Sequence, residues 1–214
     1  MYCPTHFKEN DGHAALIKLL ETHPLATVVR ASESGLVADH IPLFYEYNKL
    51  VGHVAKANPL WETTTDSEIL VILQGTDTYI SPSWYTTKLT THQVVPTWNY
   101  TAIHVYGQLS AILDRQKNLE IVQKLTHIHE KNLPQPWSVQ DAPTEYIEKM
   151  LNAIVGIKIS ISRIEAKWKV SQNQPVENQA SLIQHLQGCD EESAVTMAKE
   201  ILSHKNESFP KNLV

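Results

Sequence analysis

From Thr101 to Leu113 the chain alternates in character residue by residue. Ile103, Val105, Leu109, Ala111 and Leu113 fall on one side, and His104, Tyr106, Gln108 and Ser110 on the other. Successive side chains of a strand point to opposite faces, so this period predicts a long strand with one face in a core. On a helix the same apolar residues would scatter around the whole circumference. Gly107 interrupts the pattern at its centre, which marks a bulge or the close approach of another backbone. A strand of this length needs a sheet to belong to.

The rest of the sequence supplies one. Leu25–Arg30 is a short apolar run, and Glu33-Ser34-Gly35 reads as a hairpin turn into Leu36–Tyr45. Pro42 removes a ladder donor, which places that strand at an edge or at a bulge. Asn48-Lys49 turns the chain into Leu50–Ala55, and Glu68–Gln74 reads as a buried strand. Val155–Ile164 alternates again, with Ile157, Ile159 and Ile161 against Lys158, Ser160 and Ser162. Helices are expected at Asp11–His23, with Leu16, Ile17, Leu19 and Leu20 inward, and at Pro59–Thr65, capped by Asn58. Two more are expected at Arg115–Lys131, capped by Asp114, and after Asp141, burying Tyr146, Met150, Leu151 and Ile154. Hairpin-length connections favour a mainly β chain, a mostly antiparallel barrel with peripheral helices, over a parallel α/β fold. Residues 1–173 read as that domain. Residues 174–214 read as a linker and a short helical tail, with helices at Ala180–Gln187 and Glu191–His204.

Composition narrows the function classes. Of 214 residues 42% are hydrophobic, enough for a core. The formal net charge is −5, so nucleic-acid binding through overall charge is disfavoured. Cys3 and Cys189 are the two cysteines, which excludes a disulfide scaffold and fits a reducing compartment. No secretory signal opens the chain, and the longest aliphatic run, Ile69–Leu73, is far short of the about 20 residues that a membrane span needs. A cytoplasmic protein without a membrane partner is expected. The histidines form no metal-ligand spacing: His127 and His129 lie two apart on a predicted helix and cannot converge. Neither G-x-G-x-x-G nor G-x-S-x-G occurs, so no metal and no catalytic residue is assigned.

Four stretches are too rich in polar and aromatic residues to be core filler. Gly52–Pro59 runs from a strand end into a helix start, where Lys56, the Asn58 cap and the first-turn amides suit an anion such as a phosphate; a capped helix with an exposed lysine is the plainer alternative. Tyr79–Lys88 offers Ser83 and Lys88 to phosphate or hydroxyl groups, with Trp84 and Tyr85 for stacking, or else a dimer or core contact. Val95–Tyr100 places Trp98 and Asn99 so that they could meet a planar ligand, or forms a turn around a packed tryptophan. Residues 158–169 carry Lys158, Arg163, Lys167 and Lys169 against Glu165, which is either an anion site or a strand edge whose lysines discourage pairing.

These stretches resemble the PaiB family of FMN-binding negative transcriptional regulators. The likeness runs through MYCPTHF at the start, ADHIP at 38–42, GHVAKANP at 52–59, YISPSWY at 79–85, VVPTWNY at 94–100, LTHIHE at 125–130, DAP at 141–143 and KWKVSQN at 167–173. It implies an FMN-binding split β-barrel with a C-terminal helical appendage, a homodimer with flavin at the subunit interface, and DNA as a further partner. By the same analogy His40, Ile41, Pro42 and Leu43 approach the ring edge. His53, Val54, Ala55, Lys56 and Asn58 hold the ribityl and phosphate groups, with Ser83 and Lys88 as further candidates. Trp98 and Asn99, or Lys169, Gln172 and Asn173, reach in from the partner subunit. Lys56 stands where the family is expected to have arginine, which keeps the charge but loses bidentate geometry.

Two other functions compete with a regulator: a flavin-dependent oxidoreductase, and a haem-binding or haem-degrading protein with His6 or another rim histidine as ligand. DNA reading by the tail is disfavoured. Residues 177–205 hold Glu177, Asp190, Glu191, Glu192 and Glu200 against Lys199 and Lys205, so the helices are expected to pack on the barrel or on the partner subunit.

Overall fold

Strand alternation and turn chemistry govern most of the architecture. A computed structural model describes residues 1–63 and 67–207, with side chains through His204. The elements in chain order are α1 (Gly12–Thr22), β1 (Leu25–Ser32), β2 (Gly35–Pro42), β3 (Phe44–Glu46), β4 (Lys49–Ala55), β5 (Glu68–Ile80), α2 (Lys88–Thr91), β6 (Thr97–Ile112), α3 (Arg115–Glu130), α4 (Thr144–Leu151), β7 (Ile154–Lys169), α5 (Val176–Gln187) and α6 (Glu192–Glu207). Among the described residues seven strands form one sheet in the order β2-β1-β5-β6-β7-β4-β3. No helix among them is long and apolar enough to cross a membrane.

Contacts divide the chain into two compact units. One comprises residues 13–73 and 104–164, and the other residues 1–12, 74–103 and 165–214. In the first, β1 and β2 form the expected hairpin, from Leu25 opposite Pro42 to Ser32 opposite Gly35. Gly35 has a φ of 111°, a conformation that favours glycine. Leu43 breaks the strand after Pro42, and β3 turns into β4 through Tyr47 and Asn48, both with positive φ. That is the signature of a tight hairpin turn whose twist suits the strands. β4 pairs antiparallel with β7, Gly52 opposite Ile157 and His53 opposite Gly156. It also packs against the end of β2, because a Cβ on Gly52 would lie 2.7 Å from the Pro42 carbonyl oxygen. The sheet thus curls until β4 meets β2, although the two are not hydrogen-bonded neighbours. α3 covers β4 through a cluster of Phe44, Val51, Ile121 and Leu125.

Gly107 is explained by close approach. Any Cβ there would penetrate the Ser160 carbonyl of β7 and lie 3.0 Å from Ile159 Cγ2. Gly156 repeats the device: its amide donates to Asn118 Oδ1 at 3.0 Å, and the buried Asn118 side chain fills the space a Cβ would take.

In the second unit α5 packs on α6 and on the 3-10 turn at Pro82–Trp84. Leu182, Leu186, Met197 and Ala198 are fully buried, and Trp168 Nε1 donates to Glu200 Oε2 at 3.0 Å. Asn178, also buried, accepts from the Thr86 hydroxyl and the Thr87 amide and donates to Thr87 Oγ1 and Gln174 Oε1. The tail therefore packs on the chain's own residues.

Several expectations need correcting. β5 extends past Gln74 to Ile80, and β6 starts at Thr97, so Trp98 lies on a strand rather than in a turn. Ile17 and Leu113 are exposed. Asn58 does cap with Pro59 at the first position, but the turn is 3-10 and ends at Glu62; the expected continuation through Thr64 and Thr65 lies outside the described residues. Asp141 closes a capping box with Ser138 around a 3-10 turn, while α4 starts after Pro143 and leaves Tyr146 and Met150 exposed. β7 is interior to the sheet, so its lysines guard no edge. α5 begins at Val176, which shortens the linker to a turn.

Candidate functional site

The first unit holds His40, Ile41, Pro42, Leu43, His53, Val54, Ala55, Lys56 and Asn58. Ile41, Leu43 and Val54 point into the core, and the Leu43 amide already donates to the Pro24 carbonyl at 3.0 Å. His40, Ala55 and Lys56 are exposed. Asn58 is the organising residue. Its Oδ1 accepts from the Leu60 amide at 2.8 Å, and its Nδ2 donates to Asp39 Oδ1 at 2.6 Å. The backbone of Lys56 is held at both polar atoms, the amide donating to Ala153 O at 2.8 Å and the carbonyl accepting from Trp61 Nε1 at 2.9 Å. The ammonium is thereby presented from a fixed turn.

Among the described residues of this unit, Asp39 Oδ2 and His53 Nδ1 are two of the polar atoms buried without a hydrogen bond. Buried polar groups are nearly always paired, so such atoms mark a place where a partner belongs. Burial pushes the His53 imidazole below its ordinary value. The folded chain then stays neutral at His53 while the unfolded chain is already taking up a proton. This contribution leaves stability intact above a pH of about 6.5 and erodes it as the pH falls toward the folded-state value. Urea midpoints measured from about pH 7 down to about pH 5 should drop less for His53→Gln than for the parent protein.

The second unit holds Ser83, Lys88, Trp98, Asn99, Lys169, Gln172 and Asn173. Lys88 Nζ donates to Ser83 Oγ at 2.9 Å, so these two are joined. Trp98 is 54% exposed, its ring 6.0 Å from that of Tyr79, which is 44% exposed. Tyr79 in turn meets Trp84, which stacks on His185 at 4.5 Å. Asn99 is buried and shares two hydrogen bonds with the Ser171 hydroxyl, 3.0 and 3.1 Å long. Gln172 closes its own turn, accepting from the Val170 amide and donating to the Trp168 carbonyl. Lys167 is buried, donates to Tyr2 O and lies over the Tyr100 ring. Arg163, in the first unit, lies over the Tyr106 ring. Arg163 and Lys167 of the basic island are thus each engaged with an aromatic ring of their own unit.

Asn99, Lys169 and Asn173 are brought together, with Tyr85, Thr97, Ser171 and Gln174, around a pocket of about 220 Å³. Lys169 Nζ donates to Thr97 Oγ1 and to the Trp98 carbonyl. Asp39 is not among the residues the sequence singles out, although it lies inside ADHIP, and Tyr85 is expected there as a stacking aromatic rather than as a buried hydroxyl.

A sheet of this order, closed between β2 and β4 and flanked by helices, defines the split β-barrel class that holds flavins. A family model described as "Putative FMN-binding domain" matches residues 1–163. Protease synthase and sporulation protein PAI 2 of Bacillus subtilis (strain 168) is 32% identical over 204 residues, covering 93% of this chain and 95% of that one. The chain belongs to the PaiB family of FMN-binding proteins, and FMN is the cofactor of that family. Coverage of 93% requires most of the C-terminal helices, so the likeness extends beyond residue 174. Among solved structures, a conserved hypothetical protein from Mycobacterium tuberculosis aligns with a TM-score of 0.58 at 10% identity, covering 82% of this chain and 94% of that one. The flavocytochrome Anf3 from Azotobacter vinelandii aligns at 0.56 and 14% identity, covering 76% and 69%. At these identities the two show the fold.

Proposed function

We propose that this chain is a cytoplasmic homodimer that binds FMN and acts as a negative transcriptional regulator. The observation that carries the flavin assignment is that His53 Nδ1 and Asp39 Oδ2 are both buried without a hydrogen bond in the unit that also presents Lys56. Ribityl hydroxyls would satisfy both atoms, and Lys56 would hold the phosphate. Bound FMN supplies a redox-active ring that takes up one or two electrons. The chain's own residues orient it: Asn58 fixes Asp39, and the turn anchored by Ala153 and Trp61 fixes Lys56. Residues 1–173 carry the cofactor, and α5 packs against the Pro82–Trp84 turn and the Thr86–Thr87 segment. The exposed Tyr79–Trp98 pair supports a second copy as partner, since large exposed aromatics are typical of interfaces. The acidic α5–α6 pair, with most of its apolar residues buried, makes a poor DNA reader, so operator contacts would come from the barrel.

The test is the absorption spectrum of the purified protein together with its sedimentation. A flavin spectrum on a dimer, unchanged by NADH or NADPH, is the expected result. Bleaching with re-oxidation in air would make the protein an oxidoreductase, and a Soret band would make it a haem protein. A colourless monomer that refuses added FMN would overturn the flavin reading.

A further inference from the structure

The pocket at Lys169 shares no residue with the His53, Asp39 and Lys56 set proposed for FMN, although the resemblance had offered Asn99, Lys169 and Asn173 to the flavin, and its chemistry is specific. Tyr85 is 3% exposed, and its buried hydroxyl makes no hydrogen bond of good geometry, the Ser171 hydroxyl lying nearby. Burial pushes the phenol above its ordinary value, so it remains an O–H donor at neutral pH. Lys169 has three protons and uses two, on Thr97 Oγ1 and the Trp98 carbonyl, which leaves one for a ligand. Burial and the neighbouring Lys167 charge push its ammonium below the ordinary value, a penalty that an anion in the pocket would relieve. Among the described residues no aspartate or glutamate lines the pocket, and Val94 and Val95 give it an apolar wall. Sites for drug-sized ligands run from about 300 to 1,000 Å³. At about 220 Å³ this pocket suits something smaller.

We propose that this pocket binds a small carboxylate bearing a short apolar tail, its carboxylate held by Lys169 and the Tyr85 hydroxyl and its tail against Val94 and Val95. One available cation beside a neutral donor matches a monoanion better than a dianionic phosphate. The assignment gives Lys169 and Asn173 to a second ligand, an effector or substrate, rather than to the flavin. It deepens the proposed function by naming the chemical class to which an FMN-bearing regulator would respond.

The experiment titrates the full-length protein with butyrate, its neutral isostere butyramide and inorganic phosphate, followed by calorimetry, with FMN binding measured separately by absorbance. Butyrate should saturate at one site per chain and bind at least about tenfold tighter than butyramide, the worth of one charged hydrogen bond. Lys169→Met should weaken butyrate by about tenfold and Tyr85→Phe by a few-fold, with FMN affinity unchanged in both. Where Lys169→Met fails to fold, Tyr85→Phe decides alone. Equal binding of butyrate and butyramide, absence of saturation, tighter binding of phosphate, or butyrate binding unaffected by the variants would each overturn the proposal. Loss of FMN in Lys169→Met would also overturn it, by returning the pocket to the cofactor. Failure of FMN binding in the parent protein, with butyrate still bound, would instead overturn the flavin reading.

Discussion

Gly107→Ala is expected to lower folding stability by about 3 kcal/mol, the upper end of what overpacking ordinarily costs. The added methyl group would meet the Ser160 carbonyl, a backbone atom of the neighbouring interior strand, and Ile159 Cγ2 at 3.0 Å. Neither can retreat the way the tip of a flexible side chain can. To make room β7 must shift at Ser160, which also pairs with Lys49 of β4, so relief at one rung costs pairing at the next. Gly188→Ala is the matched control. A Cβ there lies 3.5 Å or more from its neighbours, and the change should stay within about 0.5 kcal/mol. Urea unfolding with a shifted midpoint and an unchanged slope for Gly107→Ala, and neither change for Gly188→Ala, would establish the difference. A Gly107→Ala protein as stable as its parent would mean that β6 and β7 do not approach so closely.

Lys56→Glu is expected to lower FMN affinity by about 100-fold, or about 2.7 kcal/mol. A charged hydrogen bond to phosphate contributes about 1.5–3 kcal/mol, and the reversal adds repulsion to its loss. Because Lys56 is exposed, the urea midpoint of the apoprotein should hardly move. That separates a binding defect from a folding defect. Lys56→Arg should bind FMN at least as tightly as the parent protein, since a guanidinium fork engages two phosphate oxygens at once. Equal affinity in the parent and Lys56→Glu, followed by absorbance or fluorescence titration, would place the phosphate elsewhere.

Much of the fold was legible because it rests on local rules. The alternation around Gly107, the turn at Glu33–Ser34, the edge position of the strand that holds Pro42, the Asn58 cap and the Asp114 cap all follow from period or backbone preference, and all are present. What failed depended on distant contacts. Gly75-Thr76-Asp77 has the composition of a turn, yet β5 runs straight through it in the middle of a sheet. Asp141 has the composition of a helix cap, but Ser138 recruits it to an earlier turn. The site was legible at the level of motifs rather than side chains. Sequence pointed to VVPTWNY and KWKVSQN, but not to Asn99 turning inward onto Ser171 or to Gln172 closing its own turn. Tyr85 reads as a stacking aromatic, and only the structure shows it as a buried residue at a pocket, its hydroxyl without a hydrogen bond.

Asn178 has a consequence for how this lineage can vary. One amide from the C-terminal helices supplies hydrogen bonds to both Thr86 and Thr87. A different helix in place of α5 would leave the Thr87 amide and the Thr86 and Thr87 hydroxyls without these partners, so the two stretches, 91 positions apart between Thr87 and Asn178, depend on each other for their hydrogen bonding.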